Sequence, residues 1–204
     1  MAPSSAIKHS PHCHSLAAKV GTGGNTYITE SLHSDHLKVA DMFFQYEQLE
    51  ENKEKHALVQ NIIHELFVHS AIEEEIVYPT IRKEAGDKEE TENLMDEAET
   101  EHHMVKVLML ELLDMKADDE FYDAKVRVLG ELVRHHVREE EKYMFETMKE
   151  ADIDLEKLAQ KCMIRKEELL TVSHKEIADV LEERSQERNH SRRKKHSFPM
   201  TTTR

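Results

Sequence analysis

Helix breakers are scarce in this chain of 204 residues, which holds five glycines, four prolines and no tryptophan. Loop-rich and β-rich folds draw on glycine, proline and aromatic residues. A helical protein is what remains, and the abundance of Glu, Lys, Leu and Met agrees. The two cysteines, Cys13 and Cys162, do not make a disulfide framework, which points to a reducing compartment rather than a secreted setting. No apolar run reaches the ~20 residues that span a bilayer. Positive charge is in deficit too. Forty-two acids against 28 bases give a formal net charge of −14, which disfavours nucleic acid as a partner for the body of the protein and favours cations. A soluble, cytoplasmic protein is expected.

Residues 1–29 carry no Asp or Glu and end near the run Gly21-Thr22-Gly23-Gly24-Asn25, the composition of a flexible N-terminal arm. Organelle targeting is the alternative for so acid-poor a segment, although it has no Arg and no clear amphipathic face. Its His9, His12, Cys13 and His14 have nothing to pre-organise them and read as adventitious metal binders.

Four amphipathic segments follow. The first runs from a cap at Thr29 or Ser31 to about Glu51, with Leu32, His36, Val39, Ala40, Phe43 and Tyr46 on one face. The second spans about Lys53 to Arg82, with Leu58, Ile62, Leu66, His69, Glu73, Ile76 and Thr80 in its stripe. It is bent at Pro79 and closed by Gly86 and Asp87. The third, about Glu89 to Met115, aligns Leu94, Ala98, His102, Val105, Met109 and Leu112, and leaves His103 about 100° round the helix. The fourth is capped by Asp118 and Asp119 and reaches about Lys149. Its face is Val126, Leu129, Val133, His136, Glu140, Tyr143 and Thr147, and Gly130 offers a place for close helix approach. Short connections between four such segments make an all-α, antiparallel up-down-up-down four-helix bundle over residues 30–150 the expected fold. Residues 151–189, with sparser apolar positions from Leu155 to Leu181, read as a C-terminal helical extension packed on the bundle or used for self-association. Residues 190–204, with Arg192-Arg193-Lys194-Lys195, read as a flexible basic tail, a nuclear signal being the alternative.

The chemistry lies in a repeat. His69-Ser70-Ala71-Ile72-Glu73 and His136-Val137-Arg138-Glu139-Glu140 each place an imidazole four positions before a carboxylate, one above the other on a helix face. A second acid follows each pair at once, as Glu74 and Glu141. Asp35-His36 and Glu101-His102 precede the two pairs by 33 and 34 residues, so one helix-pair unit is written twice. The spacing alone is weak, since roughly two such His–Glu matches arise by chance in this composition, and the repeat and register carry the argument.

In a bundle the inward faces converge, which brings His36, His69, Glu73, His102, His136 and Glu140 together. Burying four imidazoles and two carboxylates unpaired would cost several kcal/mol per ionised group, and these stripes hold no inward Arg or Lys. Bound metal removes the conflict. Six donors suit two ions about 3.5–4 Å apart, with Glu73 and Glu140 able to bridge them. Imidazole and carboxylate without thiolate favour iron, with manganese or zinc behind it.

The Asp-His, His-x-x-x-Glu-Glu-x-x-x-Tyr-Pro, Glu-His and His-x-x-x-Glu-Glu pattern over about residues 30–149 resembles the hemerythrin-like family of cation-binding domains. The resemblance implies a four-helix bundle around an oxo- or hydroxo-bridged non-haem di-iron centre, with His36, His69, Glu73, His102, His136 and Glu140 as ligands. Oxygen-carrying hemerythrins have a further His four residues after the third-helix ligand and an Asp five after the fourth-helix His. Lys106 and Glu141 stand there in this chain. That departure leaves one nitrogen ligand fewer and moves the expectation from oxygen carriage toward binding or responding to dioxygen, peroxide, nitric oxide, redox state or iron.

Two rivals stand beside it. A ferritin-like scheme would use Glu30-x-x-His33 and Glu99-x-x-His102, but leaves His69 and His136 unexplained. A metal-free helical interaction module would need the six inward residues to be satisfied by hydrogen bonds alone. No nucleophile–base pair, phosphate loop or substrate pocket is legible. A binding or sensing protein is therefore expected before an enzyme, with a di-iron oxidoreductase of catalase-like or nitric-oxide-linked activity as the alternative.

Overall fold

A computed structural model describes residues 27–86 and 88–195, with side chains as far as Gln186. The N-terminal arm with His9, His12, Cys13 and His14 lies outside the described residues, as does Asp87. Eight α-helices are described: α1 (Ile28–Gln48), α2 (Asn52–Ile72), α3 (Tyr78–Ala85), α4 (Glu89–Leu113), α5 (Tyr122–Glu139), α6 (Phe145–Glu150), α7 (Leu155–Leu169) and α8 (His174–Lys195). A single π-helical turn, Glu73–Val77, fuses α2 to α3, and another, Glu140–Met144, fuses α5 to α6. The result is four long rods and a C-terminal helix pair. Since α8 reaches Lys195, the start of the segment read as a basic tail is helical.

Cross-helix contacts fix the topology. Between α1 and α2, Tyr46 faces Lys55 and His36 faces His69. Between α4 and α5, Lys125 pairs with Glu111 and His102 meets His136. Arg82 of α3 meets Glu92 near the start of α4, while Glu74 meets Lys106 further along it. Tyr46 and His36 of α1 meet Asp123 and Glu140. In each pair one residue number rises as the other falls, so every neighbouring rod is antiparallel and the four close into an up-down-up-down bundle. Its core runs from Ile28, Leu32 and Phe43 through Ile62, Ile63, Met95 and Met109 to Leu129 and Val133. The extension lies outside this ring. α7 packs on α1 and α2, and α8 packs on α2 and α4. Leu158, Cys162, Leu169, Ile177 and Leu181 are buried in that contact.

Three sequence expectations are corrected. α1 starts one residue before Thr29. The Tyr27 carbonyl accepts from Glu30 and Ser31, so neither Thr29 nor Ser31 acts as the side-chain cap. Asp118 and Asp119 do not cap the fourth rod either. α5 begins at Tyr122 after Phe121 in the left-handed region (φ 70°), and Asp119 Oδ2 accepts from the Lys116 amide in the preceding turn.

The third correction follows from the π-turns. Each inserts one extra residue per turn and rotates the following face by about 100°. Beyond Glu73 the buried residues are therefore Val77, Tyr78, Ile81 and Ala85 rather than Ile76 and Thr80. Beyond Glu140 they are Met144 and Met148, while Tyr143 is exposed. The irregularity precedes Pro79, which sits at the start of α3 where its missing N–H costs least.

Gly130 lies where α5 crosses α1. A Cβ there would meet Phe43 Cδ1 at 3.2 Å and Arg134 at 3.3 Å. Gly130→Val is expected to overpack this crossing and to lower unfolding stability by roughly 1–3 kcal/mol, read by chemical denaturation. An unchanged midpoint would show that Phe43 yields freely.

Candidate metal centre

Each rod delivers its predicted residues to one place: α1 brings His36, α2 His69, α4 His102 and α5 His136. The two π-turns open on Glu73 and Glu140. All six are buried, with Glu73 at 0% and Glu140 at 2% exposure. His36 Nε2 and His69 Nε2 lie 3.2 Å apart, and His102 Nε2 and His136 Nε2 lie 3.1 Å apart. Separations of this size suit two nitrogens held about 2.0–2.1 Å from one cation.

The carboxylates join the two histidine pairs. Glu73 Oε2 is 3.3 Å from His69 Nε2 and 3.2 Å from His102 Nε2. Glu140 Oε2 is 3.0 Å from His36 Nε2 and 3.9 Å from His136 Nε2. Two groups of candidate ligands result, His36–His69–Glu73–Glu140 and Glu73–His102–His136, sharing Glu73, with donor atoms within 4.8 Å of one another in each. Two further groups of three, His33–His36–Glu141 and Glu101–His135–Glu139, lie nearer the surface.

The outer ring nitrogens meet a second set of acids that sequence reasoning noticed only as neighbours of the ligands. His36 Nδ1 donates to Glu141 at 2.8 Å, His102 Nδ1 to Glu74 at 3.0 Å and His136 Nδ1 to Glu101 at 2.8 Å. His69 Nδ1 faces Asp35 Oδ2 at 3.8 Å, too far for a hydrogen bond. Ionised carboxylates only accept, so these bonds put a ring proton on Nδ1 and turn each Nε2, the atom available to a cation, inward. The π-turns make this possible, because they let consecutive acids take different jobs. Glu73 enters the core while Glu74 backs His102; Glu140 enters while Glu141 backs His36.

Several buried polar atoms have no hydrogen-bond partner among the described residues: Glu73 Oε1, both Glu140 oxygens and His69 Nδ1. The His36–Glu140 approach is close in distance but misdirected for a hydrogen bond. The ionisation pattern carries the same conflict. Burial, and then the Glu140 charge, push Glu73 well above the usual carboxylate range. Burial also raises Glu140, but the close approach and charge of His36, with His69 and His136 behind it, outweigh burial and hold Glu140 low. Left to themselves the two carboxylates cannot both be comfortably ionised, and a cation between them removes the conflict. The donor set therefore fits bound metal.

Tyr78 is fully buried and has its hydroxyl 3.4 Å from both Glu73 Oε2 and His102 Nε2. His103 does not join the six. His33 and Glu30, which a ferritin-like scheme would need inside, are exposed, and His33 binds Glu141 from outside at 2.7 Å. Lys106 pairs with Glu74 and so serves the outer carboxylates.

An all-helical bundle with four imidazoles and two carboxylates converging in its core defines a cation-binding four-helix domain. The chain belongs to the hemerythrin HHE cation binding domain family, whose model matches residues 27–148. It is 30% identical over 118 residues to a DNA nickase of Nostoc sp., covering 58% of this chain and 32% of that protein. An uncharacterized hemerythrin-like protein of Schizosaccharomyces pombe is 26% identical over 118 residues, with 58% and 57% covered. The chain thus spans between a third and three-fifths of the length of these relatives. A crystal structure of a hemerythrin HHE cation binding domain-containing protein from Mycobacterium kansasii superposes with a TM-score of 0.61 at 25% identity, covering 71% of this chain and 88% of that one.

Two predictions follow from the charges. Glu73→Met is expected to abolish cation uptake and to raise the stability of the chelator-treated protein by roughly 1–3 kcal/mol, because it removes a buried carboxyl group whose Oε1 has no hydrogen-bond partner. Loss of stability in denaturant would contradict that account. For His36, burial would lower the imidazole, but Glu140 and then Glu141 raise it to about 9. Below that pH a cation must displace the His36 proton, so loading Zn²⁺ at pH 7 should acidify a weakly buffered solution. Apparent affinity should fall about tenfold per pH unit for that proton. Zinc uptake without proton release would remove this link.

Proposed function

We propose that this protein binds two iron ions through His36, His69, Glu73, His102, His136 and Glu140, and that it binds or responds to dioxygen or a related small ligand such as peroxide or nitric oxide. The observation that carries this reading is a cavity of about 30 Å³ beside the donors. Its walls are Val39, Leu66, Val105, Val133 and the edges of the four imidazoles. Such a space accommodates a water-sized or diatomic molecule. Imidazole and carboxylate donors without thiolate favour iron over zinc or manganese. Bound there, an iron pair would supply one-electron redox chemistry and an open coordination position.

The chain's own residues set the conditions around that position. The Nδ1 hydrogen bonds of His36, His102 and His136 hold their rings in fixed orientation. Tyr78 keeps its phenolic proton, because burial and then the Glu73 charge push it well above the ordinary phenol range, and it presents that O–H beside Glu73 and His102. Ser70 also lines the cavity, but its hydroxyl donates to the Phe67 carbonyl and not to an imidazole, so binding or sensing stands before turnover in this proposal and catalase-like or nitric-oxide-linked activity second. The similarity to a DNA nickase adds a third reading, metal-assisted phosphodiester cleavage. The buried donors and the net charge of −14 weigh against it.

Metal analysis of the purified full chain, with an optical spectrum in air, is expected to give about two irons per chain and near-ultraviolet ligand-to-metal bands. His69→Ala and His136→Ala should each lower iron content and melting temperature together, since a cation bound only by the folded chain stabilises it. One tightly held zinc and a colourless protein would overturn the di-iron reading. Steady peroxide decomposition would move the enzyme reading to first place, and nicking of supercoiled plasmid would do so for the third.

A further inference from the structure

The C-terminal helix pair is attached to the bundle at a particular place. The His64 and His174 Nε2 atoms donate to the carbonyls of Val172 and Gln60 at 3.2 and 3.0 Å, stitching the α7–α8 turn to α2 from both sides. Beyond the turn, the basic residues of the extension meet acids that surround the six candidate ligands. Lys166 of α7 grips both Asp35 oxygens, with Nζ 2.6 Å from Oδ2. Arg184 of α8 donates to Glu74 Oε2 at 3.1 Å and lies 3.6 Å from Glu75. Arg165 donates to Glu75 at 2.8 Å.

Asp35 and Glu74 are two of the four acids behind the histidines. Asp35 stands behind His69, in the first candidate group, and Glu74 behind His102, in the second. Their counterparts in the other half of each group, Glu141 and Glu101, have imidazoles as outer neighbours: His33 at 2.7 Å and His135 at 3.3 Å. The extension therefore places one cationic side chain behind one histidine of each group. At Asp35 the effect is visible in the geometry. Oδ2, turned to Lys166, stays 3.8 Å from His69 Nδ1, and that nitrogen is left without a hydrogen bond.

We propose that the C-terminal helix pair tunes the metal centre, Lys166 and Arg184 acting as positioning residues that draw the charge of Asp35 and Glu74 away from His69 and His102. This rests on the reading of those histidines as ligands of two irons. A carboxylate that accepts a full hydrogen bond from an imidazole makes the ring a stronger donor, whereas one neutralised by an ammonium or guanidinium group makes it a weaker one. With the extension seated, His69 is kept a weak donor, His102 shares the Glu74 charge with Arg184 and Lys106, and the reduced centre is favoured. With the extension lifted, Asp35 is free to close on His69 and the oxidised centre is favoured.

The test compares the iron-loaded full chain with Lys166→Met, Arg184→Met and the double variant. Reduction potential, visible band positions and the rate of iron loss to a chelator are measured. Lys166→Met is expected to lower the potential, shift the ligand-to-metal bands to shorter wavelength and slow ferric iron loss. Arg184→Met should do so less, because Lys106 still neutralises Glu74, and the double variant should do so most. Lys166→Arg should restore the wild-type values, and Lys175→Met, on the exposed side of α8, should leave them unchanged. Wild-type protein that takes up no iron overturns the reading of the site, and the proposal with it. Wild-type protein that loads normally, beside Lys166→Met and double variants that load equally with unchanged potential and bands, overturns the tuning role alone. Circular dichroism and melting of the chelator-treated variants separate both results from a failure to fold.

Discussion

Two carboxylates withdrawn from water at the centre of four helices are the constraint from which the rest of this structure follows. The solvation they lose is large, and their neighbours at the centre are imidazoles whose inward nitrogens are lone-pair donors. Apolar repacking would make a more stable bundle without them. The chain instead retains both acids and surrounds them with four histidines, each backed by an acid of its own. That arrangement is costly for a metal-free protein and favourable around cations.

The backing acids are distributed in a way that knits the bundle together. Asp35 of α1 stands behind His69 of α2; Glu74, from the turn after α2, behind His102 of α4; Glu101 of α4 behind His136 of α5; and Glu141, from the turn after α5, behind His36 of α1. Every acid serves the histidine of a neighbouring rod, and the circuit closes. The two sequence repeats thereby become two halves of one ring related by an approximate two-fold. The Nδ1 hydrogen bonds of His36, His102 and His136 each come from a rod other than their own, so rod packing and donor geometry are a single problem.

The rods and their inward histidines were legible because a helix writes its buried face at a fixed period, and His36, His69, His102 and His136 fall on that period with the apolar residues. What the period could not show is where it breaks. Both π-turns begin at the inward glutamates, and reading a constant 3.6-residue repeat through them put Ile76 and Tyr143 inside when Val77 and Met144 are. Pro79 was a visible signal of irregularity but marked its far side. The backing acids were visible as neighbours of the ligands, yet their targets lie on other rods and no local pattern names a cross-helix partner. The reach of the Tyr78 hydroxyl to Glu73 likewise depends on the turn that the sequence did not disclose.

The two positions at which this chain departs from the oxygen-carrying pattern are occupied rather than lost. Lys106 stands where the carriers place a further histidine, and it turns outward to Glu74. Glu141 stands where they place an aspartate, and it is the acid behind His36. Both residues engage the layer outside the six candidate ligands, and Arg184 and Lys166 reach that same layer from the C-terminal helices. Under the proposed ligand set, a centre with fewer direct donors has more open coordination. Its electronic character then depends more heavily on how strongly the remaining imidazoles donate, and that strength is set in the layer where these charged side chains converge. The balance suits a protein whose response is adjusted from its periphery better than one built to hold a single ligand reversibly.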